Sequence, residues 1–307
     1  MKKILINGAL FIMISLILAS CLKDNSLTLD TSLSNNVTEF ANTGSPKTLP
    51  SNGASVRYNI DLGTLAVGDT TSFNVNVDYA GADMAPQDIK VTVDVDASLL
   101  AKYNEVHAVD GADYITPPTD LFSDAFPMTI TIPKGKQFGQ ASIRVKLPAD
   151  YSFTASYALP LKISSTSVGV ISGNFGSALY SLNVRNQYDG IYDIKGYILR
   201  AGDNVLSGNY SGYKITMTTA GPNSIEYDRH TWADGSTTGG IDGLTLTVDP
   251  ATNKVTIKSN SSPALVNLPG YDSHYDPATK TFFVSYYWGS GPGNRAATDT
   301  LTYKSSR

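Results

Sequence analysis

The stretch IKVTVDVD, residues 89–96, alternates apolar and polar side chains without a break. Val91, Val93 and Val95 share one face, and Lys90, Thr92, Asp94 and Asp96 share the other. A period of two is the period of a half-buried strand, and a slip of one residue would turn the valines to water. The texture recurs in SVRYNIDL, TSFNVNVDY, MTITIPKG, ASIRVKLP, YALPLKIS and ALYSLNVR, mostly with turn residues between the runs. About seven such strands in residues 54–186 predict an immunoglobulin-like β-sandwich. One segment departs from the pattern. In ASLLAKYNEV, residues 97–106, Leu99, Leu100 and Tyr103 recur at helical spacing, which predicts a short helix capping the sandwich or crossing between its sheets.

After Asn186 the chain opens a second module, residues 187–307. Its runs include YKITMTTA, GLTLTVDPATNKVTIKS, HYDPATKTFFVSYYW and ATDTLTYK. Two of them contain the same punctuation, Asp249-Pro250-Ala251-Thr252 and Asp276-Pro277-Ala278-Thr279. Asp followed by Pro suits the first two positions of a type I turn, so both are expected at hairpin tips. Successive hairpins make a meander, and a meander of about eight strands closes into a lipocalin-like antiparallel barrel. Composition agrees with an all-β fold. Of 27 acidic residues only Glu39, Glu105 and Glu226 are Glu, and the chain holds 26 Gly and 18 Tyr. Asp and Gly favour turns, and tyrosine favours strands.

The net charge of −4 argues against a nucleic-acid partner, which needs a basic face. Lys2 and Lys3 precede an apolar run that ends in Leu18-Ala19-Ser20-Cys21. This is a secretory signal over residues 1–20, too short for a spanning helix, with the pattern of a bacterial lipobox. Cleavage before Cys21 would leave a lipidated residue, with diacylation of the thiol and acylation of the amine (palmitate-type chains), and each buried methylene adds about 0.8 kcal/mol of anchoring. Cys21 is the only cysteine, so no disulfide can form. The polar segment 21–53 reads as a tether, with room for one edge strand at its end. Leu22 after the anchor favours the outer membrane, on its cell-surface or periplasmic face.

Candidate site residues lie in turn-rich stretches of the second module. Arg229 and Trp232 occupy DRHTWADGS, Tyr271, Asp272, His274 and Tyr275 occupy PGYDSHYDP, and Tyr287 and Trp288 precede the tract Gly289 to Arg295. Aromatic rings beside Asp, His and Arg have the composition of a carbohydrate site, where an apolar platform meets a few fixed polar groups. The glycine-rich tract lacks GxxxxGK[ST] and leads into a strand pattern, so it is no phosphate loop. Arg295 and Asp299 fall on one face by parity and are expected to pair. Asp272, His274 and Asp276 have strand-like spacing, but their segment reads as a turn, and no metal is expected. There is no nucleophile elbow, HExxH or partnered Glu, so neither an enzyme nor a cofactor is expected.

The lipobox, the segments VTVDVDASLLAKYNE, TITIPKGK and ALPLKIS, and the C-terminal YDGIY and YYWGSGPGNRAATDTLTY resemble a family of Bacteroidetes-type outer-membrane lipoproteins. That family has an N-terminal β-sandwich module of unknown function and a lipocalin-like C-terminal module, and is associated with glycan utilisation. Similar N-terminal modules precede glycoside hydrolases of the endo-β-N-acetylglucosaminidase type, whose DxxDxDxE signature is absent here. The resemblance implies a non-catalytic partner in glycan capture, working with an outer-membrane uptake complex. Two alternatives stand beside it: an adhesion or assembly subunit acting through free strand edges, and a carrier of a small apolar ligand inside the barrel.

Overall fold

The computed structural model describes residues 35–41 and 48–307. Cys21 and the signal segment lie outside the described residues. In chain order the first module comprises β1 (Val37–Phe40), β2 (Val56–Thr64), β3 (Thr70–Ala80), β4 (Ile89–Val95), helix α1 (Ser98–Val106), β5 (Tyr114–Ile115), β6 (Met128–Ile132), β7 (Phe138–Lys146), β8 (Ser156–Thr166), β9 (Val170–Ile171) and β10 (Ser177–Arg185). One sheet runs β7-β3-β1-β9 and the other β2-β10-β8-β4-β6, with β5 beside β8. Ile89, Val91 and Val93 point into the sandwich and are fully buried, whereas Val95 emerges at the end of β4. α1 lies on the outside of the second sheet, where Leu100 and Tyr103 cover Ala54, Ala158 and Leu179.

The tether expected through residue 53 gives way to ordered sandwich earlier. β1 sits inside the first sheet, antiparallel to β3 and parallel to β9. Its Phe40 is 1% exposed and packs edge-on against Tyr180, which also meets Tyr58 and Phe73. The Tyr58 hydroxyl donates to the Phe40 carbonyl at 3.1 Å. VTEF is too short and too polar in its surroundings for alternation alone to reveal it. The outer edge of β7, which an adhesion role would need free, is partly covered: Phe122 bridges Val145, and Asp124 takes both the backbone N–H and the guanidinium of Arg144.

The second module comprises β11 (Gly190–Arg200), β12 (Gly208–Gly221), β13 (Ser224–Tyr227), β14 (Leu244–Val248), β15 (Val255–Ser259), β16 (Val266–Asn267), β17 (His274–Asp276), β18 (Thr281–Trp288) and β19 (Arg295–Ser305). The order β15-β14-β13-β12-β11-β19-β18-β16, with β17 also on β18, is an antiparallel meander. It closes where β15 meets the β16–β17 segment. Val255 donates to the Ser273 carbonyl and Tyr275 to that of Asn253. The Asn267 amide then stands in for missing strand backbone, accepting from Ile257 N–H and donating to the Val255 carbonyl. The result is a nearly closed barrel, which leaves almost no free edge.

Both Asp-Pro-Ala-Thr sequences form hairpin tips in the same way. Asp249 accepts from Ala251 N–H and the Thr252 hydroxyl, and Asp276 accepts from Ala278 N–H and the Thr279 hydroxyl. These bonds hold the two carboxyls below the usual carboxylate range. The fifth residues, Asn253 and Lys280, adopt positive φ and close four-residue loops between Asp249 and Lys254 and between Asp276 and Thr281, a loop length most often built around a type I turn.

The barrel is solid. Tyr188, Tyr192, Ile194, Met217, Leu246, Ile257, Phe282, Val284, Tyr286 and Leu301 belong to one continuous buried cluster. The open cavity that an apolar-ligand carrier requires is filled by these side chains. The modules join through a short, tightly bonded linker. Asn186 donates to the carbonyls of Gly221 and Ser224, and Asp189 accepts from Thr219 and from the Arg307 guanidinium.

The position of β1 gives a direct test. Phe40→Ala should destabilise the sandwich by about 3–5 kcal/mol, the usual cost of a buried Phe truncation. A calorimetric scan would show a lowered sandwich transition, while an unchanged one would return residues 37–40 to the tether.

Candidate functional site

The barrel is organised around one buried carboxylate. Asp299 on β19 faces inward and is fully buried, as its alternation with Leu301 and Ala297 requires. Its Oδ2 accepts from the Tyr286 hydroxyl at 3.0 Å and lies 3.1 Å from His230 Nε2. Its Oδ1 accepts from the Tyr210 hydroxyl. His230 Nδ1 lies 2.8 Å from the Thr231 carbonyl. A carbonyl only accepts, so Nδ1 carries a proton. Nε2 also lies 3.0 Å from the Tyr210 hydroxyl. Burial, followed by repulsion from Asp299, pushes the Tyr210 and Tyr286 phenols far above their ordinary range, so both remain neutral donors.

The expected Arg295–Asp299 pair is not formed. Parity places both on the inner face, but four residues of strand separate them by about 13 Å, and other donors fill the carboxylate. Arg295 instead stands opposite Trp288 on β18 and Arg200 on β11. The Arg200 guanidinium lies 5.6 Å from the Trp232 ring centre, and its charge is met loosely by Asp203 at 3.9 Å.

Other sequence candidates separate into two groups that the fold does not bring together. Trp232 and Trp288 pack against one another at 5.9 Å and plug one end of the barrel. They are 4% and 1% exposed, so neither presents a face to a sugar. Tyr275 is likewise internal, lodged against Tyr188 and Phe282, and burial pushes its phenol up to about 12. Arg229 is exposed beside Asp228. Asp272 is exposed and paired with Lys254, while His274 stacks on Phe283 at 5.0 Å. Tyr271 is partly exposed, and Tyr287 is half-buried opposite Val266. Among the described residues no cluster of His, Cys, Asp and Glu could hold a metal ion.

One open groove lies elsewhere, on the barrel wall. Pairing of β11 with β12 slips between Ile194 and Gly196, leaving Lys195 on one strand opposite Ser211 and Gly212 on the other. Around this bulge is a groove of about 550 Å³, lined by Lys195, Gly196, Asn209, Tyr210, Ser211, Tyr213, Ala233 and Thr300. Gly196 is central to it. It pairs with Tyr210 on one side and Asp299 on the other. A Cβ at this position would collide with the Thr298 carbonyl oxygen and come within 2.8 Å of the Tyr210 hydroxyl. The missing side chain lets the Tyr210 ring cross β11 and reach Asp299. Tyr210 is therefore both floor of the groove and ligand of the buried carboxylate. Sequence reasoning missed these residues. The available signal was isolated glycine at 196 and 212 inside strand patterns, which marks a bulge or a close approach.

One family model, described as an N-terminal domain, matches residues 23–170, and its C-terminal companion matches residues 176–302. The chain belongs to this two-domain family. β10 falls within the C-terminal match yet completes the sandwich. A Bacteroides ovatus structure of unknown function shares the fold, with a TM-score of 0.56 at 16% identity over 88% of this chain and 95% of that one. A second from the same organism, also of unknown function, gives 0.49 at 15% identity over 87% and 93%. An auxiliary nutrient binding protein from Bacteroides thetaiotaomicron gives 0.42 at 15% identity over 85% and 94%. No curated protein sequence matches the chain.

Truncating Asp299 should remove the acceptor shared by His230, Tyr210 and Tyr286, leaving the Tyr210–His230 contact behind. Each buried donor left without its acceptor costs about 1–3 kcal/mol. The barrel transition of Asp299→Ala should fall accordingly, whereas Arg295→Ala should stay within roughly 0.5 kcal/mol of the parent, as mouth residues do. Equal losses would restore the pair expected from sequence.

Proposed function

We propose that this protein is a non-catalytic, carbohydrate-binding lipoprotein of the cell envelope, holding a glycan in the groove beside the β11–β12 bulge. One observation carries the reading: above the buried Tyr210, the groove combines the partly exposed ring of Tyr213 with the ammonium of Lys195, the amide of Asn209 and the hydroxyls of Ser211 and Thr300. An aromatic platform with several fixed donors and acceptors is what a sugar ring needs, since its C–H face is apolar and its edge is all hydroxyl. Family membership and the sequence resemblance to glycan-utilisation lipoproteins support the same reading. Support for binding without transformation is the position of one acidic group: Asp299 and His230 have fully buried side chains with internal partners.

The reading includes an anchor at Cys21 in the outer membrane and a place beside a glycan-uptake complex. Its support is the Leu18-Ala19-Ser20-Cys21 sequence and its flanks. Intact-mass measurement of the protein from its native cells should show an acylated N-terminal Cys21, and an unmodified residue there would remove the anchor.

The groove is testable at three of its lining side chains, and because Tyr213 also packs against the barrel core, a calorimetric scan must first show that the variant keeps its barrel transition. On a glycan array, the triple variant Lys195→Ala/Asn209→Ala/Tyr213→Ala should lose at least tenfold in retention of every glycan that the parent retains. Retention equal to the parent, or no retention by the parent of any glycan, would refute the assignment.

A further inference from the structure

Beside the groove, the outer face of the barrel carries a tyrosine that the fold leaves open. Tyr197 lies on β11, which runs between β12 and β19 in the interior of the sheet. Asp299 points inward, so Thr298 and Thr300 on either side of it point outward. Cross-strand partners share a face. Lys195, opposite Thr300, and Tyr197, opposite Thr298, therefore belong to the same outer surface. On its other side Tyr197 stands opposite Asn209, and Asn209 already lines the groove. The Tyr197 ring is 47% exposed, because Asn209 and Thr298 are too short to cover it. Tyr192, Tyr210 and Tyr286 on the same and neighbouring strands face inward and are buried.

An open ring edged by polar groups is a stacking platform for the C–H face of a pyranose. The edges here are the Asn209 amide and the Thr298 hydroxyl. Thr298 Oγ1 shares a hydrogen bond with Ser285 Oγ at 2.8 Å. A hydroxyl has one donor and two acceptor lone pairs, so it keeps capacity for another partner. Asn209 borders both the groove and the platform, which makes the two continuous. Spacing then sets the size of the ligand. Tyr213, the partly exposed ring of the groove, stands opposite Ile194, three residues along β11 from Tyr197. At roughly 3.3 Å per residue the two positions are about 10 Å apart. One pyranose ring cannot bridge that span, and a short chain of them can. Lys195 lies on the outer face between the two.

We infer that the groove is one end of a longer track, with Tyr197 as its second stacking platform, and that the ligand is a linear oligosaccharide of at least two pyranose units. This rests on the reading of the groove as a glycan site. Tyr197 is then the residue that sets preference for chain length. The test is a glycan array printed with mono- to tetrasaccharides of glucose, mannose and galactose, probed with the full chain. Each series that the parent retains should be held at least tenfold more strongly as oligosaccharide than as monosaccharide. Tyr197→Thr removes the ring and keeps a strand-favouring residue. It should bring oligosaccharide retention down to the monosaccharide level and leave monosaccharide retention at that of the parent. Tyr197→Phe and Tyr197→Trp, which keep a ring, should preserve the length dependence. A length dependence that Tyr197→Thr leaves unchanged overturns this inference, as does equal retention of a sugar and its oligomers by the parent. Loss of all retention by Tyr197→Phe and Tyr197→Trp as well makes the residue structural and also overturns it. In each of these cases the groove reading stands if Lys195→Ala/Asn209→Ala/Tyr213→Ala still loses retention. Loss on Tyr197→Thr with none in that triple variant refutes the groove and, with it, the continuous track. No retention of any printed sugar by the parent removes both.

Discussion

A carboxylate buried in an apolar barrel is costly unless every lone pair is used. The second module is arranged to use those of Asp299. Tyr210 comes from β12, Tyr286 from β18 and His230 from the long loop between β13 and β14. These partners lie far apart in sequence, so the carboxylate fixes the loop and two strands relative to β19 at once. Loss of the side chain at residue 196 is the condition for this, because a Cβ there would obstruct the Tyr210 hydroxyl. The same arrangement creates the groove: Tyr210 becomes its floor, and the loop carrying His230 brings Ala233 to its wall.

This constraint also decides where a ligand can go. A lipocalin-like barrel suggests an interior ligand, but here the interior is packed with tyrosine, phenylalanine and branched side chains, and the Trp232–Trp288 pair closes one end. The proposed binding is displaced to the outer wall, where the β11–β12 ladder is interrupted. Bulges are where sheets commonly re-aim side chains toward a site. In the sandwich α1 covers the sheet with Leu100 and Tyr103, and the Tyr103 ring meets the Arg57 guanidinium. The candidate site thus sits on an outer face, where strand pairing is interrupted by a bulge.

Much of the fold was legible because it is local. Period-two alternation located most strands, helical spacing located α1, and Asp249-Pro250 and Asp276-Pro277 marked two hairpin tips whose geometry then proved identical. Parity also placed Asp299 on the inner face. What it could not supply was the partner, since alternation fixes the face of a side chain and not which distant segment crosses it. Arg295 shared that face and was the nearest cation, yet His230 and Tyr210 arrive from elsewhere. The buried tryptophans illustrate the same gap: turn-rich sequence around Trp232 suggests exposure, while packing against Trp288 and beneath Arg200 removes it from solvent. The edge strand allowed at the end of the tether lies earlier, at residues 37–40, and inside the sheet, for a different reason. Four residues are too few for a periodic signal, and Phe40 becomes core only once Tyr58, Phe73 and Tyr180 are assembled around it.

The central claim is that glycan engages the barrel wall at the β11–β12 bulge. Hydrogen–deuterium exchange of the full chain, with and without a mixed panel of neutral oligosaccharides, tests it at the level of residues. The account expects added protection in the peptides spanning 195–196, 209–213 and 233, with the β14–β15 hairpin unchanged. Protection confined to the tryptophan-plugged end around 288–295, or none in β11 and β12, would contradict it.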